Sequence, residues 1–294
     1  MDWDKIIQEA SDRYMKPYLI AKRCVEFIND CLAGNGVITK LTDYQENYML
    51  ESTLNDVVVV HKCRQAGYTT LLLAQAFCKL WFKYMSDPLG TRNDTKILFV
   101  SPNAQMSVDA KEKFLRLVAN VKFPENDSNV LLPLMIEERM QMVRSRIVFA
   151  HPGNVYNKLC GSVYTDAYFD EFAFIQNVSD IYTCFCGSAK NPKAVFATSF
   201  DDKNKDKAIR ITDNLVSHGA KFIDTHWYEI PKFNKNLVWK KYQVEPPIDE
   251  EGNIKYDKKH FDKMISDGWI PTSPTYEKMS EMIGPDKAKE ELLN

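Results

Sequence analysis

The chain has 294 residues, 45% of them apolar and 27% charged, which suits one large α/β domain, alone or with a small appendage, and supplies a sizeable core. A formal net charge of −2 excludes a globally basic nucleic-acid binder, so any contact with a polyanion must come from a local patch or an oligomeric ring. Seven scattered cysteines without a CxxC pair and the lack of a secretory start imply reduced thiols in a cytoplasm, and no run approaches the roughly 18 apolar residues of a membrane span.

In chain order, Trp3, Ile6, Ile7, Ala10 and Tyr14, then Tyr18, Leu19, Cys24, Phe27 and Ile28, recur at helical spacing up to Gly34 and Gly36. A helical appendage over residues 1–40 is expected. Asp43 can cap the next helix, whose first turn carries Tyr44, Gln45 and Glu46. The Gln45 amide offers both a donor and an acceptor, which suits an adenine edge as well as a solvated helix face.

The densest signal runs from Val57 to Leu73. Val57 to Val60 read as a buried strand of a parallel sheet, a polar loop with one glycine follows, and a helix begins at Thr69. Leu73, Ala76, Phe77, Leu80, Trp81 and Tyr84 form one apolar stripe along it. Strand, loop, helix is the context of a phosphate-binding loop, because N–H groups and the helix dipole favour an anion at the helix start. The spacing is that of GxxxxGK[ST], with Gly67 and Thr69 in register. Tyr68 stands in the lysine's position and Lys62 in that of the first glycine, so the cation comes from the loop's other end. Arg64 and Gln65 add donors. A strand-to-helix turn holding Gly and Thr also occurs in α/β proteins that bind no phosphate.

A second unit follows: strand Lys96 to Ser101, then Pro102-Asn103-Ala104 at a carboxyl end, where open sheets place ligands, then a helix from about Ser107 to Val121. Residues 123–133 read as a loop and Met135 to Met142 as a packed element; Arg144, Ser145 and Arg146 lead into a strand from Ile147 to Ala150. Val163 to Phe169 reads as an apolar strand ending in Asp170-Glu171. Successive carboxylates face opposite ways and can divide the work: Asp170 in the shell of Mg²⁺, Glu171 orienting and deprotonating a water. A solvated acidic turn is the other reading of that pair. Ala194 to Ser199 is a further strand, closing on Thr198-Ser199, and the charged stretch 201–210 reads as a solvated helix start or a DNA-facing patch. Lys221 to Trp227 is the last expected strand. Residues 231–259 read as an irregular or hairpin insertion, and short helices are expected at 260–266, 275–283 and 285–293.

LTDYQ at 41–45, then CRQAGYTT at 63–70, then an apolar strand with Asp170-Glu171 and FAFI at 172–175 resemble the ATPase domain of the large terminase subunits of tailed double-stranded DNA phages. The lysine at the loop's start resembles a variant found in some terminases. The resemblance implies an α/β P-loop NTPase of the ASCE/RecA-like type, with a mostly parallel central sheet flanked by helices over residues 41–230 and a small C-terminal lid over 231–294. It implies that Tyr44 and Gln45 contact the adenine, and that Lys62, Cys63, Arg64, Gln65, Ala66, Gly67, Tyr68, Thr69 and Thr70 cradle the phosphates of ATP. Thr69 and Asp170 then hold Mg²⁺, Glu171 and Arg64 act in hydrolysis, and Thr198 with Ser199 couples hydrolysis to movement. Where many terminases carry a trans-acting arginine before a glycine, this chain has Cys160-Gly161; Lys158, Arg144 or Arg146 are the substitutes at hand, or the arginine acts only from within the loop, as Arg64. Nothing after residue 260 supplies the spaced acids of the nuclease domain that follows in full-length terminases, so no nuclease activity is expected. The implied partners are double-stranded DNA, a portal protein, a small terminase subunit and further copies in a ring on the procapsid, in the host cytoplasm and away from membranes. A helicase or recombination ATPase, and a nucleotide-binding module without turnover, are the readings from other classes.

Overall fold

The computed structural model describes residues 18–34, 36–86, 95–121, 146–189, 191–199, 203–240, 258–284 and 288. The segments expected before residue 18, at 123–133, at Met135 to Met142, across 241–257 and, apart from Ala288, at 285–293 lie outside them, as does Arg144. Helix α1 occupies residues 18–27 and runs into a π-turn, Ile28–Leu32. After α2 (Asp43–Leu54), strands and helices alternate: β1 (Val57–Lys62), α3 (Tyr68–Ser86), β2 (Lys96–Val100), α4 (Ala104–Ala119), β3 (Arg146–Ala150), α5 (Val155–Leu159), β4 (Asp166–Asp170), α6 (Val178–Ser188), β5 (Lys193–Thr198), α7 (Lys205–Ser217) and β6 (Lys221–Thr225). Then come α8 (Pro231–Asn234), β7 (Val238–Lys240), α9 (Lys258–Ser266), β8 (Ile270–Thr272) and α10 (Pro274–Ile283).

The six strands β1 to β6 form one parallel sheet in the order β3-β2-β4-β5-β1-β6. Their residues alternate between two cores, as a sheet covered on both faces requires. Val58, Val60, Ile97, Phe99, Tyr168, Val195 and Ile223 face α1 to α4, and Val59, Leu98, Val148, Phe169 and Phe196 face α5 to α7. One strand, β5, separates β1, which feeds the loop, from β4, which ends in the acids. All these strands present their carboxyl ends on one edge, where the backbone turns outward and a ligand has access.

Several expectations shift. The expected stripe of α3 is buried at Leu73, Ala76, Phe77, Leu80 and Trp81, its Tyr84 side chain lying outside the described residues, and the burial extends around the helix over Leu71, Leu72, Ala74 and Gln75, because that part is enclosed by the sheet on one side and by α1, α2 and α4 on the others. Its one polar residue there, Gln75, accepts from the hydroxyls of Tyr48 and Tyr168 and donates to Ser52, so the burial leaves no group unpaired. The cap of α2 is Thr42 rather than Asp43, with the Gln45 carboxamide reaching back to the Thr42 N–H at 3.1 Å. Strand β4 begins at Asp166, not Val163, which is 66% exposed. Trp227 lies past the end of β6 in a 3₁₀ turn, stacked on Tyr276 of α10 at 5.2 Å. Residues 238–240 and 270–272 pair as a separate antiparallel ribbon, tied to the first core by the Ser273 hydroxyl donating to the Phe233 carbonyl at 2.6 Å.

Candidate active site

The loop between β1 and α3 is shaped by two residues in left-handed backbone, Gln65 (φ 60°) and Gly67 (φ 78°). At Gly67 the positive φ is what calls for glycine, since a side chain would be strained there, and a Cβ would meet the Gln45 amide nitrogen only at an ordinary contact distance of 3.4 Å. The loop's inner side is fastened to the core. Cys63 is buried, which pushes its thiol up to about 12, and its N–H donates to the Thr225 carbonyl. Ala66 is buried and its carbonyl accepts from the Tyr44 hydroxyl at 2.7 Å. Tyr68 is fully buried between Tyr44 and Tyr48, its hydroxyl 2.8 Å from Thr225 Oγ1 on β6. The side chains of Tyr44, Cys63, Ala66 and Tyr68 therefore anchor the loop, and of these Ala66 and Tyr68 can offer a phosphate only their backbone, while the Cys63 N–H is already engaged by Thr225. Gln45 has its acceptor oxygen engaged by Thr42, which leaves the amide nitrogen above Gly67.

The outer side carries the charged groups and hydroxyls of the candidate site. Lys62, the last residue of β1, points along the α3 face and pairs with Glu171 Oε1 at 2.5 Å while only 5% of its side chain is exposed. Thr69, in the first turn of α3, donates to Asp170 Oδ2 at 2.8 Å. Thr70 is half-buried beside it, as is Arg64 in the loop, and Gln65 is exposed and accepts from Lys232 of α8 at 2.8 Å.

Asp170 and Glu171 sit at the end of β4, where the backbone changes hand: Glu171 has φ 53° and ψ 50°, an uncommon conformation for a residue with a long side chain. That turn brings both carboxylates to one place instead of leaving them on opposite faces. Glu171 Oε2 accepts from the Ser199 N–H at 2.9 Å and its hydroxyl at 3.0 Å, with Thr198 Oγ1 at 3.4 Å. Thr198 in turn accepts from the Ala173 N–H, so the end of β5 grips the turn after β4. Burial works to raise the Glu171 carboxyl, but Lys62 and Ser199 outweigh it and hold it below its ordinary value. Asp170 goes the other way: burial, then the adjacent Glu171 charge, push it up to about 6 against the pull of Lys62, Thr69 and Lys113. Two neighbouring carboxyls with opposed shifts are suited to different tasks.

The oxygen set fits a divalent cation. Asp170 Oδ1 is buried with no hydrogen-bond partner among the described residues, and Asp170 Oδ2 and Thr69 Oγ1 lie side by side. Hard oxygens from one carboxylate and one hydroxyl suit Mg²⁺, which takes its remaining ligands from waters and a phosphate. Among the described residues no group of three or more His, Cys, Asp or Glu forms an all-protein metal cage. Ser101, Thr225 and Lys232 also belong to this neighbourhood. Only Ser101 carried a sequence signal, its position at a strand's carboxyl end; the other two arrive through the fold.

Sheet order, loop and acid pair together define an α/β fold, a parallel six-stranded sheet flanked by helices, with the loop after β1 and the acid pair after β4 on its carboxyl edge. No known protein-family profile matches the chain, and no curated protein sequence does. Among solved structures the chain is similar to the large terminase from a thermophilic bacteriophage, with a TM-score of 0.38 and 11% identity over 59% of this chain and 41% of that one. The same phage protein in complex with ADP, in another crystal form, gives a TM-score of 0.43 and 10% identity over 82% of this chain and 48% of that one. The chain thus spans less than half the length of these structures. No helix among the described residues is long and apolar enough to cross a membrane.

Proposed function

We propose that the chain is the ATP-hydrolysing motor domain of a viral terminase large subunit, which drives double-stranded DNA into a procapsid. One arrangement carries the reading: a glutamate in left-handed backbone, gripped by Lys62 on one oxygen and Ser199 on the other, beside the Thr69–Asp170 contact. The phosphates of ATP lie on the N-terminus of α3, received by the backbone N–H groups of residues 64–70, with Lys62 and Arg64 neutralising their charge. Thr69 and Asp170 hold Mg²⁺, which when bound neutralises phosphate charge. The γ-phosphate competes with Glu171 for Lys62. A glutamate relieved of that cation is a stronger base, ready to orient and deprotonate the attacking water. Tyr44 supports the loop beneath the nucleotide and the Gln45 amide nitrogen is the adenine contact. Thr198 and Ser199 feel the change at Glu171 directly, and Gln65 with Lys232 links the loop to the segment after β6, so hydrolysis is relayed to the lid. The motor works on DNA as a ring of copies on a portal protein, with a small terminase subunit delivering the substrate.

Mg²⁺-dependent ATP hydrolysis by the wild type, Lys62→Ala and Glu171→Gln is the test. Turnover should be abolished in both variants, with nucleotide binding retained in Glu171→Gln. Turnover unchanged in both would remove these residues from the reaction and the motor reading with them.

A further inference from the structure

One buried polar atom near the acid pair has no part in the chemistry above. Ser101 follows β2 directly, is 1% exposed, and its hydroxyl has no hydrogen-bond partner among the described residues. Burying a hydroxyl without a partner is unfavourable, a cost that alanine at the same position would not carry. The serine's surroundings explain it. β2 and β4 are adjacent and parallel with Val100 opposite Phe169, so the next residues, Ser101 and Asp170, stand abreast. Neighbouring strands run about 4.8 Å apart. Side chains alternate, and Ser101 falls on the same face as Ile97 and Phe99, the face that Tyr168 and Asp170 share. Both side chains therefore project toward α3 and α4 at the level of Thr69. Asp170 Oδ1 is the other buried oxygen there without a partner. These two buried oxygens stand on adjacent strands and bond neither each other nor any other described residue.

We propose that Ser101 is a positioning residue of the cation site, its hydroxyl holding a water of the Mg²⁺ hydration shell that also reaches Asp170. The inference rests on the nucleotide-hydrolase reading and adds a residue to it. Mg²⁺ keeps several of its waters when bound, and outer-shell partners of a metal orient what the direct ligands cannot.

The experiment titrates the chain with a fluorescent ADP analogue, in Mg²⁺ and in EDTA, for the wild type, Ser101→Ala and Ser101→Thr. Mg²⁺ should tighten binding by the wild type, and Ser101→Ala should lose about tenfold of that gain or more, with its affinity in EDTA unchanged. Ser101→Thr, which keeps the hydroxyl, should retain most of the gain. A full Mg²⁺ gain in Ser101→Ala, or an equal loss of affinity in Mg²⁺ and EDTA, would overturn the role of Ser101 and leave the hydrolase reading standing. Wild-type protein that binds the analogue in neither condition would overturn that reading itself.

Discussion

Strand β4 carries a lysine–carboxylate pair at each end. At its start Lys79 meets Asp166 at 2.5 Å, and just past its end Lys62 meets Glu171 at the same distance. All four side chains are largely buried. Their surroundings differ in kind. The other oxygen of Asp166 accepts from the Thr165 hydroxyl at 2.7 Å, and the Lys79 ammonium lies over the Tyr168 ring at 5.2 Å, so the pair is complete and its backbone is ordinary strand. Glu171 sits in left-handed backbone, beside a second carboxylate pushed toward protonation, one of whose oxygens has no hydrogen-bond partner among the described residues. Distance alone does not separate structure from chemistry here. Satisfaction does: among the described residues the groups at the start of β4 are all paired, whereas at its end Asp170 Oδ1 is buried without a partner.

Exchanging the two lysines for alanine breaks the symmetry most sharply. Lys62→Ala should lower ATP turnover by about 100-fold or more, the scale of removing a preorganised electrostatic contact to a transferring phosphoryl group. Lys79→Ala should leave turnover within a few-fold of wild type, because the whole length of β4 separates it from Glu171. Steady-state hydrolysis of the two variants side by side decides it. Equal losses would mean that both pairs serve the fold.

The reverse asymmetry is expected in stability. Asp166→Asn removes the charge from a hydrogen bond that holds α3 to the start of β4, and should destabilise the chain by roughly 1.5–3 kcal/mol in urea unfolding, with turnover preserved in the folded fraction. A variant as stable as wild type would show that Lys79 and Asp166 are held by the packing around them.

A smaller effect separates the strand beside the site from the site. His61 precedes Lys62 but faces the other core, its ring nitrogen 2.7 Å from Thr212 on α7. Burial holds its pKa down to about 4 from 6.5, against the upward pull of Asp224 and Asp213. The folded state thus resists a proton that the unfolded chain accepts, so the contribution of His61 is fully present above pH 6.5 and is lost as pH falls toward 4. Between neutrality and pH 5 the wild type should lose about 1–2 kcal/mol on this account. In His61→Gln, which bonds Thr212 without titrating, that slope should flatten. An unchanged slope would assign acid sensitivity to other groups.

How much of this was legible follows from how local each cause is. The β1–loop–α3 unit showed itself because a β-branched run, a glycine at φ 78° and a threonine at the helix start are consequences of neighbouring residues. The acid pair was visible for the same reason. Thr42 and Gln45 also spell a capping box in the sequence, and the adjacent Asp43 obscured it. The all-round burial of α3 was not legible, since it depends on α1, α2 and α4 closing over it. Nor was the left-handed turn at Glu171, which the distant Lys62 and Ser199 make tolerable.

Tyr68 is the instructive case. Its place in the spacing is that of a phosphate-binding lysine, yet its side chain is directed by Thr225, a residue 157 positions away in the chain. The phenol is fully buried, and burial above all raises its pKa well beyond the ordinary value, so it stays neutral and serves as a hydrogen-bonding peg between the helix start and β6. Tyr68→Phe keeps the ring against Tyr44 and Tyr48 and gives up one hydrogen bond, which should cost about 1 kcal/mol of stability. Turnover should change by no more than a few-fold, far less than for Lys62→Ala, since the phosphate side of the loop keeps every group it uses. A Tyr68→Phe chain that folds as well as wild type but loses turnover as completely as Lys62→Ala would put the phenol at the phosphates. The two sides of the loop would then have to be exchanged.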